Sequence, residues 1–385
     1  MAQLDCRHFS GYKPCGLNEV CNESCPSYAK VGARVLIVHL EAMGAVIRST
    51  ALLPAIKRKY PNCHITWVTR GYCRPLLANN PMIDTILASD MSGLMTLEAV
   101  EFDVGLCVDK ALEAVGIINR AKCKEVFGFT SDPKTASIIP ANPEAEELWN
   151  IGLSDHVKFY INKKSEIQLA TEALKLPYKR DPYSMYLTDA EKTEAEKRRQ
   201  EWAGGKSHII GINTGCANVI PYKKLSVEGH RKLINLLLEK TDARVVLLGG
   251  PEDTARNVEI GKGLDVVQTP TDKGLRDGLT SMEACDVIIS GDSLGMHMGI
   301  SLNKWIIAWF GPTCAHEIDL FDRGERMITS ASCSPCWKRS CSKDPMCYDL
   351  VDFDKIVESC KRGIEWRNSS SKQPSSEMHS SASHS

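Results

Sequence analysis

The residues Cys285-Asp-Val-Ile-Ile-Ser-Gly-Asp-Ser-Leu-Gly-Met-His297, followed by a helical run and then by Ile306-Ile-Ala-Trp-Phe-Gly-Pro-Thr313, decide the fold. The apolar run Val287 to Ile289 reads as a buried strand that stops at Ser290-Gly291-Asp292-Ser293, small polar residues suited to opening a helix. A strand ending in such a turn presents backbone N–H groups and the positive end of a helix to an anion. Ser293, Leu294 and Gly295 thus form a candidate diphosphate cradle, with Asp292 and His297 placed to contact a sugar or the phosphates. A plainer strand–turn–helix capped by Asp292, with His297 as an ordinary helix residue, fits the same letters. The second strand, Trp305 to Phe310, ends in Gly-Pro-Thr, so two strand ends of one parallel sheet are expected to open onto one crevice.

Working back from this stretch, Ile209-Ile-Gly-Ile-Asn-Thr-Gly215 and Ala243-Arg-Val-Val-Leu-Leu-Gly-Gly-Pro251 are strand-to-turn segments separated by a helical run from Ser226 to Glu239. An earlier series has the same grammar: Ala33 to Leu40, Ile65 to Thr69, Asp84 to Leu87 and Phe102 to Asp109 read as strands, with a helical pattern from Ile47 to Lys59. Strands alternating with helices give parallel sheets with right-handed crossovers. The predicted class is α/β, with two Rossmann-like doubly wound domains facing a cleft. The expected boundaries are a Cys-rich segment over 1–30, a first domain over 31–180 and a charged linker over 181–206. A second domain over 207–349, a returning helix over 350–367 and a disordered, Ser-rich tail over 368–385 complete the chain.

The 385 residues exceed what one core usually supports. With 47 basic against 48 acidic side chains, no global field recruits nucleic acid. The opening residues lack an apolar core and no 18-residue apolar run follows, so a cytoplasmic location is expected.

Sixteen cysteines in such a chain point away from disulfides and toward metal. Cys6, Cys15, Cys21 and Cys25, spaced C-x8-C-x5-C-x3-C, are placed to close around one tetrahedral ion; Cys333, Cys336, Cys341 and Cys347, spaced C-x2-C-x4-C-x5-C, form a second set. Structural zinc is the expected occupant, and iron or an iron–sulfur cluster uses the same ligand type. One composite site of all eight thiols also fits the sequence. The remaining eight read as small buried hydrophobes.

Five motifs now stand in order: Leu40-Glu-Ala-Met-Gly-Ala-Val-Ile-Arg-Ser-Thr50, Asn213-Thr-Gly215 with Lys223, Leu248-Gly-Gly-Pro-Glu252, Gly291-Asp-Ser-Leu-Gly-Met-His297 and Phe310-Gly-Pro-Thr313. Together they resemble glycosyltransferase family 9, the ADP-heptose heptosyltransferases of lipopolysaccharide assembly and their relatives. The likeness runs from about Arg34 to Cys347. It implies a GT-B fold and an inverting, metal-independent transfer from a nucleotide sugar, most simply ADP-heptose. The acceptor is then a glycan, lipid-linked or protein hydroxyl, a lipid-linked one implying peripheral membrane contact. By the same resemblance Asp292 binds the donor sugar, Ser293, Leu294 and Gly295 form the diphosphate turn, and His297 is the helix histidine. Thr214 and Lys223 are the implied phosphate contacts, and Glu317 the acidic position beyond the Gly-Pro-Thr turn.

One departure matters. Where the family places the aspartate presumed to deprotonate the acceptor, this chain has Ala45, and an alanine moves no proton. Glu41, four residues earlier, and Asp109, at the end of a later strand, are the replacement candidates; a catalytically silent binding protein is the other reading. Arg48, one turn on, is placed to meet a phosphate or an acidic acceptor.

Overall fold

In the computed structural model the chain is described over residues 1–9 and 11–370. The described residues form two compact units, one of residues up to 186 with 316–319 and one of residues 187–315 with 320–370.

The sheet of the first unit contains β1 (Arg34–Val38), β2 (His64–Thr69), β3 (Thr85–Ala88), β4 (Glu101–Cys107), β5 (Lys122–Asp132) and β6 (Ser137–Pro140). Their spatial order is β3-β2-β1-β4-β5-β6, all parallel except the final pair. Val35 to Val38 are buried on both faces, which is why β1 reads as an unbroken apolar run. The chain moves outward from β1 to β3, then returns to pair β4 with β1. The order reverses there, and the loops after β1 and β4 diverge to leave a crevice. The hairpin of β5 and β6 has no counterpart in the predicted elements.

The second unit repeats the plan with β7 (His208–Asn213), β8 (Ala243–Leu248), β9 (Val267–Gln268), β10 (Val287–Gly291), β11 (Trp305–Phe310) and β12 (Gly324–Ile328). All its pairings are parallel, in the order β12-β11-β10-β7-β8-β9, so its reversal lies between β7 and β10. The charged segment Asp189–Ala203 is a helix whose Thr188 and Glu191 form a reciprocal cap, and Gly204 ends it in the left-handed conformation. It belongs with the second unit, where Arg198 grips Asp277 and Ser281. The helix Phe353–Ser370 also packs here, placing Phe353, Ile356, Val357 and Cys360 in the same core as Ile210, Leu247, Val287 and Ile307. The segment that joins the first unit is instead 316–319, where Asp319 receives the Arg180 guanidinium at 2.7 Å. The predicted disordered tail lies, from residue 371 on, outside the described residues; its first positions, 368–370, are helical.

Among the described residues no helix is long and apolar enough to cross a membrane. Seven of the eight scattered cysteines are buried, and Cys123 is partly so.

Candidate functional site

In the second unit the reversal between β7 and β10 gathers a polar cluster. Strand β10 ends at Gly291, Asp292 follows, and Ser293 is the N-cap of the helix Leu294–Ser301. Ser293 makes no cap bond of its own to that helix; its Oγ instead accepts from Asn213 Nδ2, at the end of β7, at 3.0 Å. A Cβ on Gly295 would lie 2.4 Å from Asn213 Cγ, so the amide packs directly against the first turn.

Lys223 is held from two sides. Its carbonyl accepts from Trp309 Nε1 at 2.9 Å and lies so near Gly291 that a Cβ there would be 1.8 Å away. Its ammonium donates to Asp292 Oδ2 at 3.0 Å, and His297 Nε2 lies 4.0 Å from the other carboxylate oxygen. Burial raises the Asp292 carboxyl, but Lys223 and His297 outweigh it and hold the group below the usual carboxylate range. The site therefore combines a fixed anion, a fixed cation and the N-terminal backbone of a helix.

The second cysteine set forms the rim of this cluster. The Cys336 and Trp337 N–H groups donate to Pro312 O, Cys341 N–H donates to the Tyr222 hydroxyl, and the Trp337 ring centroid lies 5.7 Å from Lys223 Nζ. Burial, followed by the neighbouring Cys336, Cys341 and Cys333, pushes the Cys347 thiol up to about 11. Among the described residues no three His, Cys, Asp or Glu side chains are gathered tightly enough to hold a metal ion.

Thr214 is placed differently from its expected role. It is fully buried, and its hydroxyl is turned inward to Leu248 O and Asn257 Oδ1 rather than toward the cluster.

In the first unit the reversal between β1 and β4 carries a cavity of about 170 Å³ lined by His39, Glu41, Ala45, Arg48, Asp109, Lys110 and Glu166, among others. Asp109 is a structural acid: its Oδ2 accepts from the Leu40 N–H at 2.8 Å and the Glu41 N–H at 3.4 Å, and its Oδ1 from the Ala111 N–H at 3.0 Å. Those bonds tie the ends of β1 and β4 together. Glu41 lies in the same cavity with its side chain 43% exposed, accepts from the Tyr72 hydroxyl and stands 3.6 Å from Arg70. Arg48 pairs with a local carboxylate, Glu166, at 2.6 Å. His39 is buried against Ser49, which lowers it to about 4 despite the nearby Asp109.

Glu317 groups with the first unit, 3.5 Å from Lys158. Burial and then Glu166 push its carboxyl up to about 7, against the pull of Lys158 and Arg48.

Residues 96–347 match the family model for glycosyltransferase family 9 (heptosyltransferase). The chain belongs to this glycosyltransferase family. It is 23% identical to lipooligosaccharide heptosyltransferase 2 of Haemophilus influenzae over 72% of this chain and 83% of that one. Two solved structures share the fold. One is a family 9 enzyme from Veillonella parvula, with a TM-score of 0.68 at 15% identity over 87% of this chain and 98% of that one. The other is the E. coli ADP-heptose lps heptosyltransferase II, with a TM-score of 0.65 at 16% identity over 87% and 99%. The two parallel-sheet units are thus the two halves of a GT-B glycosyltransferase.

Within that frame, the second unit brings together Lys223, Asp292, Ser293, Leu294, Gly295 and His297, while the Thr214 hydroxyl bonds to Leu248 and Asn257 and Glu317 groups with the first unit. Sequence reasoning placed Asn213 in a motif but assigned its side chain no role, and it missed Trp337 and Tyr222 as parts of the site. The only signal for Trp337 was a lone aromatic inside a thiol loop, and none marked Tyr222.

Proposed function

We propose that this family 9 glycosyltransferase moves a heptose from ADP-heptose to an acceptor hydroxyl of a lipopolysaccharide-type glycan in the cytoplasm, without a metal in the transfer step. The observation that carries this is the Lys223–Asp292 pair seated beside the first turn of the helix Leu294–Ser301, at the sheet reversal of the second unit. The names of its relatives, a lipooligosaccharide heptosyltransferase and an ADP-heptose enzyme, support the choice of donor and product.

In the proposed step the acceptor oxygen attacks the anomeric carbon as the bond from that carbon to the diphosphate oxygen breaks, inverting the centre. The acceptor proton passes to a carboxylate. Charge developing on the departing diphosphate meets the Lys223 ammonium and the backbone N–H groups of residues 294–296, donors that need no reorganisation as the bond breaks. Asp292 orients the sugar hydroxyls and holds Lys223 in place. For the base we assign Glu41 rather than Asp109, because both Asp109 oxygens already serve backbone N–H groups.

Steady-state turnover of ADP-heptose by Asp292→Ala should fall by about 10²–10³-fold, the loss typical of removing one preorganised electrostatic group. Turnover equal to the parent's would take Asp292 out of the site.

Ala45 favours a second reading, a protein that binds the nucleotide sugar without transferring it. Calorimetric binding of ADP-heptose with neither transfer nor hydrolysis would establish that reading in place of the first.

A further inference from the structure

Residues 1–9 and 11–33 include not one buried side chain, and their only regular pairing is an isolated bridge between Cys6 and Lys30. Leu4, Tyr12, Leu17 and Val20 are all exposed, so no apolar core holds the segment. It is nevertheless a closed, anchored loop. Val31 N–H returns to Asp5 O, and Gly32 N–H and Arg7 fasten it to the first unit through Asn62 O and Asp84, the latter at 2.6 Å. Ordering some thirty residues costs backbone entropy that a few surface hydrogen bonds do not offset, and small segments without a core rely on cross-links or metals.

The segment has the means. Cys6, Cys15, Cys21 and Cys25 line a single cavity of about 20 Å³, together with Phe9, Val20 and other residues. That volume is near the one-probe minimum for a single small occupant and too small for a multi-atom cluster. Two of the sulfurs already accept N–H groups: Cys25 Sγ from Asn18 Nδ2 at 3.3 Å, and Cys6 Sγ from the Ala29 N–H at 3.5 Å. Such bonds disperse the negative charge of a thiolate and orient its lone pairs, the work of outer-shell partners in thiolate metal sites. As described, the four thiols surround the cavity without converging at ligating distance. Closing the site asks the loop to bring them in, and no apolar core resists that.

We infer that Cys6, Cys15, Cys21 and Cys25 bind one soft divalent cation, zinc or ferrous iron, as a mononuclear four-thiolate site that staples the amino-terminal segment to the first unit. Binding displaces the thiol protons to solvent, changes no oxidation state and takes no part in sugar transfer, so its test is independent of the proposed activity.

Full-length protein, purified under reducing conditions, is assayed for zinc and iron per chain. The Cys15→Ser/Cys21→Ser variant should lose one equivalent relative to the parent, whereas Cys336→Ser/Cys341→Ser should retain that equivalent. Element identity separates zinc from iron. Cobalt loading of the parent should give the visible bands of a tetrahedral thiolate site and lose them in the first variant only. Limited proteolysis keeps the idea testable if that variant folds poorly: a chelator added to the parent should speed cleavage within residues 1–32 without exposing the rest of the first unit. Equal metal content in the parent and Cys15→Ser/Cys21→Ser, acid-labile sulfide, or two disulfides in this segment under reducing conditions would each overturn the assignment.

Discussion

Glu41 and Asp109 show why the acid that resembles a base is not always the one that can act as one. Asp109 spends its charge on the backbone, so Asp109→Asn, which turns one acceptor into a donor facing N–H groups, should destabilise the first unit by about 1–3 kcal/mol. Denaturation midpoints measure that cost. Glu41→Gln should leave the midpoint nearly unchanged and lower kcat by about 10²–10⁴-fold, the contribution of a general base. Full activity in Glu41→Gln would remove the assignment. Glu317 offers a third test at this scale. With its folded pKa raised from 4.5 to about 7, the native state keeps this proton longer than the unfolded chain does. The group's favourable contribution is complete below pH 4.5 and is lost as pH rises through 7. Denaturation midpoints at about pH 5 and pH 8 should therefore differ less in Glu317→Gln than in the parent, and an identical pH dependence would contradict the burial argument. Sequence reasoning made Glu41 and Asp109 base candidates and put Glu317 in another place, but did not show their surroundings, because what separates them is which N–H groups and counter-charges the fold brings to each.

At the scale of elements, the strands that were legible are those buried on both faces. β1, β7, β8, β10 and β11 are apolar runs because helices cover the parallel sheets on both sides. β5 was illegible for the opposite reason: Lys122-Cys-Lys-Glu-Val-Phe has no buried residue and no unbroken apolar run, and it pairs with β4 alone because the short β6 joins only residues 129–132. The helix Leu294–Ser301 carries no amphipathic period, since seven of its eight residues are buried; its start was found from the turn that precedes it. That turn explains why small residues are needed there. A methyl at Gly291 would stand 1.8 Å from Lys223 O, a backbone atom that cannot rotate away. Gly291→Ala should therefore cost about 1–3 kcal/mol, as overpacking does, and should lower donor turnover by displacing the Lys223 ammonium from Asp292. Lys223→Ala should lower turnover as well, at a stability cost of a different origin, because the largely buried Asp292 carboxylate loses its main counter-charge. If Gly291→Ala kept full turnover, the register between Lys223 and the turn would not matter to the site.

For the molecule as a whole, one plan is used twice with different chemistry at each sheet reversal: partly exposed ion pairs and an alanine in the first unit, a lysine–aspartate pair at a helix start in the second. The two units have separate cores, one around Leu36, Val38 and Phe102 and the other around Ile210, Ile289 and Ile307. Two repeats of the α/β grammar made that division readable from sequence, whereas the assignment of residues 316–319 to the first unit depended on long-range packing that no local pattern encodes. Separate cores make ligand linkage directional. A nucleotide that binds the native second unit stabilises it by RT ln(1 + [L]/Kd), about 2.7 kcal/mol at a hundredfold excess over Kd. Hydrogen exchange should then slow for amides of β7, β8, β10 and β11 when ADP is added, in proportion to that free energy where exchange requires unfolding of the unit. Amides of β1, β2 and β4 should be unaffected, and in Lys223→Ala the ADP effect should shrink throughout the second sheet. Equal protection of both sheets by ADP, or protection that survives Lys223→Ala undiminished, would mean that the nucleotide is not held where the Lys223–Asp292 pair places it.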